Sequence, residues 1–153
     1  MQGSTVVILL NICAKNPPHR QAAEPLAVML RDTTKYDRIR KYIKSYFGVV
    51  NADDLTTIVS LFSLTTIKKG DFLLKSGRRC DNLSFVQSGL LRMFITTDEK
   101  EITQWISTKG YFSTDLSSFI FETPSRLSIQ ALTDTEVYSI TKADYKKIGD
   151  ISA

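Results

Sequence analysis

The side chains that most often do chemistry are few in this chain and far apart. It contains one histidine, His19, and two cysteines, Cys13 and Cys80, which form no CxxC pair. A metal or haem site needs several converging His, Cys or carboxylate ligands, and an iron–sulfur cluster needs four thiolates. A serine nucleophile needs a base within hydrogen-bonding reach, and no histidine accompanies the serine-rich segments. The sequence therefore predicts a protein that is not an enzyme and that holds no metal or cofactor.

One short stretch combines a polar side chain with a helical pattern. Leu116, Phe119 and Ile120 recur at helical spacing, and Asp115 stands directly before them. A side-chain oxygen at that position accepts a hydrogen bond from a free N–H group at the start of the helix. Two interpretations stay open: the polar residues cap and solvate a surface helix, or they line a pocket for an anion.

The elements around this helix are predicted to be short strands. Apolar runs are separated by Gly70, Gly77, Gly89 and Gly110, and strands that recur about every 8 to 12 positions are typical of an antiparallel sandwich or roll. Gly89 suits a tight turn because glycine takes positive φ without steric cost. The predicted strands are 64–67, 72–75, 83–88, 90–96, 102–106, 127–131 and 136–140. The predicted fold is mainly β, a double-stranded β-helix (jelly roll) with short flanking α-helices.

Strand alternation also assigns side chains to faces. Met93 and Ile95 belong to a set on one face of their strand, and Ile102 and Ile106 are predicted to share one face of theirs. Trp105 falls on the other face of that strand. We expect its ring to pack in the core or at its rim rather than to serve as a ligand platform.

Helices are predicted on both sides of the roll. An amphipathic helix carries Tyr36, Ile39, Ile43 and Phe47 on one face and is expected to end at Gly48. A second helix, 52–62, follows Asn51 as its cap, and a last helix, 142–148, is expected to end at Gly149.

The first 28 residues differ from the rest. The apolar run 6–10 is preceded by no Lys or Arg and is too short to span a bilayer. We interpret 1–28 as a disordered or spurious extension before a functional start near Met29, with an extra strand at 6–10 as the alternative. The N-terminal helices then occupy 29–62 and the roll 63–149, and these form one domain of about 36–149.

The net charge of +4 is concentrated in one segment. Six basic and two acidic residues lie between Arg31 and Lys44, so the roll itself is close to neutral. No aromatic or glycine-rich binding pattern is interleaved with these charges. They therefore indicate a solvated helix face rather than a nucleic-acid site.

Several motifs, taken together, carry a resemblance to a known family. They read IKKGDFLLKSG, LSFVQSGLLRMF, GYFSTDLSSFIF and PSRLSIQAL, followed by VYSITKADY. The set resembles the cyclic-nucleotide-binding domain of the Crp/Fnr family of bacterial transcriptional regulators, and most of all the regulators common in Bacteroidetes. The resemblance covers about residues 38–148.

In that family the short helix and its loop form a phosphate-binding cassette. Backbone N–H groups at the helix start hold the phosphate, an arginine neutralises it, and a glutamate binds the ribose hydroxyl. Aligned without gaps, the family's glycine falls on Thr114, its glutamate on Asp115, its arginine on Ser125 and the next Ser or Thr on Arg126. Because a shift of one residue turns a strand side chain to the opposite face, Arg126 is expected to point away unless a bulge re-aims it.

The resemblance implies a cytoplasmic sensory domain of a transcriptional regulator. We expect a small anionic effector at Thr114, Asp115, Ser125 and Arg126, with weak or no binding of cyclic AMP and cyclic GMP. In the family a dimerisation helix and a winged helix-turn-helix come next, and full-length relatives form homodimers. With no such segments in this sequence, we expect no specific DNA binding by this chain alone. We also expect no membrane association. The alternative is a protein-interaction β-roll that binds no small molecule.

Overall fold

The structure is a computed structural model that describes residues 39–41, 43, 44 and 51–151. These residues fall into two compact units, one up to residue 62 together with residues from 143 onward, and one of residues 63–142. The predictions for 1–28, for the alternative strand 6–10, and for Tyr36, Phe47 and Gly48 lie outside the described residues.

The described part of the first unit is mainly helical, and Asn51, Leu61 and Phe62 lie outside its helices. Residues 39–41, 43 and 44 are helical, and α1 spans Ala52–Ser60. Asn51 caps α1 as predicted, because its Oδ1 accepts a hydrogen bond of 2.8 Å from the backbone N–H of Asp54. The helix ends two residues before its predicted end. Its inward face is formed by Leu55, Ile58 and Val59.

The prediction that Gly149 ends the last helix is wrong, because α3 spans Lys142–Ile151. Gly149 is not among the glycines with positive φ, so it continues the helix. A glycine inside a helix costs only about 1 kcal/mol relative to alanine. Burial of Tyr145 and Ile148 within the same helix is worth more than that cost.

The second unit is the predicted roll. Its strands are β1 Ser63–Ile67, β2 Phe72–Leu74, β3 Asn82–Ser88, β4 Leu91–Thr96, β5 Glu101–Ser107, β6 Phe112–Ser113, β7 Leu127–Ala131 and β8 Thr135–Thr141, with α2 at Leu116–Phe121. They form two four-stranded antiparallel sheets, ordered β1-β8-β3-β6 and β2-β7-β4-β5. The mainly-β fold with short helices is confirmed. No helix among the described residues is long and apolar enough to cross a membrane.

One predicted face of β5 is wrong. Met93 pairs with Trp105, whereas the next residue, Phe94, pairs with Thr103, so Gln104 is an extra residue in β5. Such a β-bulge reverses the alternation beyond it. Ile102 therefore shares a face with Trp105 and not with Ile106. The Trp105 ring packs edge-on against Tyr111, with centroids 6.2 Å apart, in agreement with packing at the rim.

Strand β6 has no counterpart among the predicted elements. It contains only Phe112 and Ser113, which pair with Phe85 and Ser84 of β3. A strand of two residues is too short to produce a periodic pattern. Its position matters nevertheless, because it leads directly into the loop and helix where the candidate site lies.

Candidate effector site at the short helix

The start of α2 is satisfied by the chain itself. Asp115 has extended backbone angles (φ −85°, ψ 97°), and its Oδ1 accepts a hydrogen bond of 3.2 Å from the backbone N–H of Ser118. The carbonyl of Asp115 accepts the first helical hydrogen bond, 2.8 Å from the N–H of Phe119. The predicted capping role of Asp115 is thus what the geometry shows, and its carboxylate supplies a negative charge at the start of α2.

Ser125 binds the same carboxylate from the other side. Its hydroxyl donates a 2.5 Å hydrogen bond to Asp115 Oδ2, and the two residues are only 3% and 8% exposed. A bond this short is typical of a hydroxyl that donates to a charged carboxylate. The Ser125 Oγ also accepts from the backbone N–H of Leu127 at 2.9 Å. These two residues, which the alignment places at the family's glutamate and arginine, therefore bind each other.

Arg126 lies apart from this pair. The backbone of Ser125 is bonded to the loop opposite it, accepting from Gly77 N–H at 2.7 Å and donating to the carbonyl of Arg78 at 2.8 Å. Successive side chains of an extended segment point to opposite sides, and Ser125 points inward. The Arg126 side chain is exposed and has no hydrogen bond or ion pair within the part of the chain that the structure describes.

Thr114 is half-buried and faces a different neighbour. Its Oγ1 donates to the carbonyl oxygen of Asn82 at 3.2 Å and lies 3.1 Å from the Sγ of Cys80. The side chain thus contacts the loop before β3 rather than the Asp115–Ser125 pair. Of the predicted site residues, the structure brings Asp115 and Ser125 together and places Thr114 and Arg126 outside their contact.

Sequence reasoning missed one segment of this region, the residues 79–82. We call this segment the loop 79–82, although its last residue, Asn82, is also the first residue of β3. The backbone N–H of Cys80 donates to Ser118 Oγ at 2.9 Å, and Ser118 Oγ donates in turn to the carbonyl of Thr123. Burial raises the pKa of the Cys80 thiol, which therefore stays protonated at neutral pH. Cys80 and Ser118 are 38 positions apart, and no local pattern signals such a contact.

The other end of α2 is held by a lysine that the sequence did not single out for this role. The Nζ of Lys142 donates to the carbonyl oxygens of Phe119 at 2.5 Å and Ile120 at 3.3 Å, and it forms an ion pair of 3.1 Å with Glu122. Lysine near a helix C-terminus satisfies its free carbonyls and opposes the negative end of its dipole. The backbone N–H of Lys142 also donates to the carbonyl of Asp81 at 2.8 Å, which ties the same residue to the loop 79–82.

A cavity of about 90 Å³ opens beside that loop. Its inner wall is made of Leu74, Ser84, Ser113 and Ile129, and its rim is the loop 79–82. Sites for drug-sized ligands typically have volumes of about 300–1,000 Å³. The cavity is therefore too small to enclose a nucleotide, and neither Asp115 nor Ser125 lines it.

A roll of two antiparallel sheets with a short, capped helix between its sixth and seventh strands is the architecture of a cyclic nucleotide-binding domain. The chain belongs to the cyclic nucleotide-binding domain family, whose pattern matches residues 64–151. No curated protein matches it significantly. Its structural neighbours include Crp/Fnr regulators, which confirms the resemblance to that family, whereas the particular likeness to regulators of Bacteroidetes stays a prediction.

The solved structures similar to this chain include regulatory and sensor domains. The regulatory domain of Toxoplasma gondii PKA with cAMP superposes with a TM-score of 0.68 at 15% identity, over 77% of this chain and 46% of that one. The Thermus thermophilus catabolite activator protein gives 0.60 at 23%, over 67% and 48%. The sensor domain of the regulator DNR from Pseudomonas aeruginosa gives 0.63 at 16%, over 76% and 81%. The chain thus spans about half the length of the first two proteins, and at these identities the likeness shows the fold.

Proposed function

We propose that this chain is the sensory domain of a Crp/Fnr-type transcriptional regulator, with a cassette that does not take up cyclic AMP or cyclic GMP at useful affinity. The observation that carries the proposal is the hydrogen bond between Ser125 and Asp115, at the positions that the resemblance assigns to the phosphate-binding arginine and the ribose-binding glutamate. The regulator role is supported by the likeness to the Thermus activator and to the DNR sensor domain.

Electrostatics disfavours a cyclic phosphate in this cassette. A phosphate at the start of α2 would meet the carboxylate of Asp115, which already accepts from Ser118 and Ser125. The nearest arginine in sequence, Arg126, is exposed on the other side of its segment. Each missing charge-assisted hydrogen bond costs roughly 1.5 to 3 kcal/mol, which is about 10- to 150-fold in affinity. Two such losses would raise a micromolar dissociation constant beyond the range that is useful for sensing the nucleotide.

An effector of another kind would meet the exposed edge of this region. Arg126 offers a solvent-facing cation beside Ser125, and Thr114 borders the opposite side of Asp115. We propose Arg126 as the cation that binds a small anionic effector, with Thr114, Asp115 and Ser125 as the residues that border this site and hold its segment in place. In an intact homodimeric regulator, an effector that binds one arrangement of the domain more tightly would shift the population of the dimer and so orient its DNA-binding heads.

Isothermal titration calorimetry with cyclic AMP and cyclic GMP tests the cassette. We expect no saturable heat for the natural chain, and a dissociation constant below about 10 µM would refute the proposal. The matched variant restores the family pattern through T114G, D115E, S125R and R126S, and it should bind cyclic AMP at least tenfold more tightly than the natural chain. The exposed S117R serves as a control, because it adds a positive charge near α2 without restoring the cassette.

A protein-interaction role is the second candidate, and one observation favours it. Phe121, the last residue of α2, is 71% exposed, so its ring is available for contact with a partner chain. Under this alternative, F121S would abolish capture of a partner chain from a lysate, whereas S117A on the same helix would not. Under the sensory proposal, a small-molecule extract alone would raise the melting temperature of the natural chain, and R126A would remove that shift.

A further inference from the structure

The cavity beside the loop 79–82 contains a buried hydroxyl without a partner. Ser113 is 2% exposed, and its Oγ has no hydrogen bond to any of the described residues. Ser113 pairs with Ser84, which also lines the cavity, whereas Phe112 packs its ring against Phe85 on the other face of the sheet. The Ser113 hydroxyl is therefore directed into the cavity. The Ser84 hydroxyl is already bonded to Ser139 Oγ at 2.7 Å.

The chemistry of the walls favours an uncharged occupant. Leu74 and Ile129 are apolar, and the Cys80 thiol, which is protonated at neutral pH, is bonded to its own neighbours. The charged residues of the lining, Arg79 and Asp81, are exposed at the rim and have opposite signs. An ion at the inner wall would lose its hydration without a buried counter-charge there, which is strongly unfavourable.

The size of the cavity limits the occupant further. A cavity of about 150 Å³ lined by apolar side chains accommodates benzene, which has six non-hydrogen atoms. By proportion, the 90 Å³ available here accommodates a molecule of about four non-hydrogen atoms. We propose that this cavity binds a small uncharged molecule of that size, such as a short amide, ketone or alcohol, whose oxygen hydrogen-bonds to Ser113 Oγ.

The position of the cavity allows its occupant to influence the rest of the domain. Its rim is bonded to α2 through the Cys80 N–H and Ser118 Oγ, and to the first residue of α3 through the Asp81 carbonyl and the Lys142 N–H. A molecule that displaces this rim would act on α2 and on Lys142 at once. The site is separate from Asp115 and Ser125, so the cyclic-nucleotide titration and the titration below can fail independently.

The test is a titration of the full chain with acetamide, followed by two-dimensional amide NMR. We expect saturable shifts at Ser113, Cys80 and Asn82 with a millimolar dissociation constant. S113A should weaken binding at least about fivefold, since one hydrogen bond is lost. The exposed control S117A should leave it unchanged. Pivalamide, which carries the same amide group on a larger body, should produce no shifts at these positions.

Three results would overturn the proposal. They are acetamide shifts that do not saturate, equal affinity of S113A and the natural chain, and equal binding of pivalamide. Each would mean that the cavity holds solvent only. If S113A fails to fold, the variant L73F serves as the test instead. Leu73 is a half-buried residue of the cavity wall, and a phenyl ring there would narrow the cavity. Loss of the acetamide shifts in L73F supports the site, and their persistence contradicts it.

Discussion

At the scale of single residues, the distinctive feature of this domain is a buried carboxylate that caps α2. Asp115 supplies the negative charge that a helix start attracts, and Ser125 supplies the hydroxyl that holds it. In this arrangement the chain's own side chains satisfy the start of α2. Substitution of either residue should therefore change stability, whereas in a cassette that awaits its ligand the same substitutions would change chiefly binding.

A double-mutant cycle at Asp115 and Ser125 measures this contact. We expect D115A to destabilise more than S125A, because it also removes the helix cap, which is worth about 0.5 to 2 kcal/mol. The coupling energy between the two should be roughly 1.5 to 3 kcal/mol, the usual range for a hydrogen bond to a charged group. Urea unfolding of the four proteins provides the values. Coupling below about 0.5 kcal/mol would show that the short bond contributes little, and S117A should be neutral.

The Cys80 thiol should be slow to react. It is 5% exposed, burial raises its pKa, and only the thiolate is nucleophilic. In a C13S background, we expect its reaction with Ellman's reagent at pH 8 to be at least about tenfold slower in the folded chain than in urea. Equal rates in the two states would mean that the thiol is accessible, in contradiction to the burial described here.

At the scale of elements, the sequence indicates most strands, because they carry apolar residues and are bounded by turn residues such as Gly70, Gly77 and Gly89. The sequence does not predict features that depend on how one strand pairs with another. The bulge at Gln104 depends on how β5 pairs with β4, and β6 exists only because Phe112 and Ser113 reach β3. The same reason limits the candidate site: alignment identifies Asp115 and Ser125, but their mutual hydrogen bond depends on the loop between them.

The turn between β3 and β4 depends on Gly89. Its φ is +91°, and a Cβ built there would lie 2.6 Å from the carbonyl oxygen of Asp134 and 2.8 Å from the Cα of Thr135. Because the neighbours include backbone atoms, they cannot move aside cheaply. We expect G89A to destabilise by more than about 3 kcal/mol, from strain and overlap together.

Gly70 provides the matched control for that turn. Its φ is +89°, but nothing lies within 4 Å of an added Cβ. G70A should therefore cost only the backbone strain, about 1 to 2 kcal/mol. Thermal unfolding of the two variants separates overlap from strain, and equal losses would contradict the close approach at Gly89.

At the scale of the whole molecule, the described part of each compact unit contains a buried acid with a raised pKa. Cys80 lies in the roll and Tyr145 in the helical unit, and burial is the main cause in both. In the unfolded chain these groups lose their protons near their ordinary pKa values, about 8.5 and 10, whereas the folded chain retains them. Their contribution to the free energy of unfolding is thus complete below those values and is lost as the pH rises towards the folded pKa.

Alkaline unfolding should therefore distinguish the two units. In Y145F, the stability relative to the natural chain should rise above about pH 10 by up to 1.4 kcal/mol per pH unit, and in C80S a similar divergence should begin near pH 9. Urea unfolding from pH 7 to 11 measures both. If the units unfold in one transition, both variants move the same midpoint. If they unfold separately, Y145F moves one transition and C80S the other, and curves that stay parallel to that of the natural chain would contradict the raised pKa values.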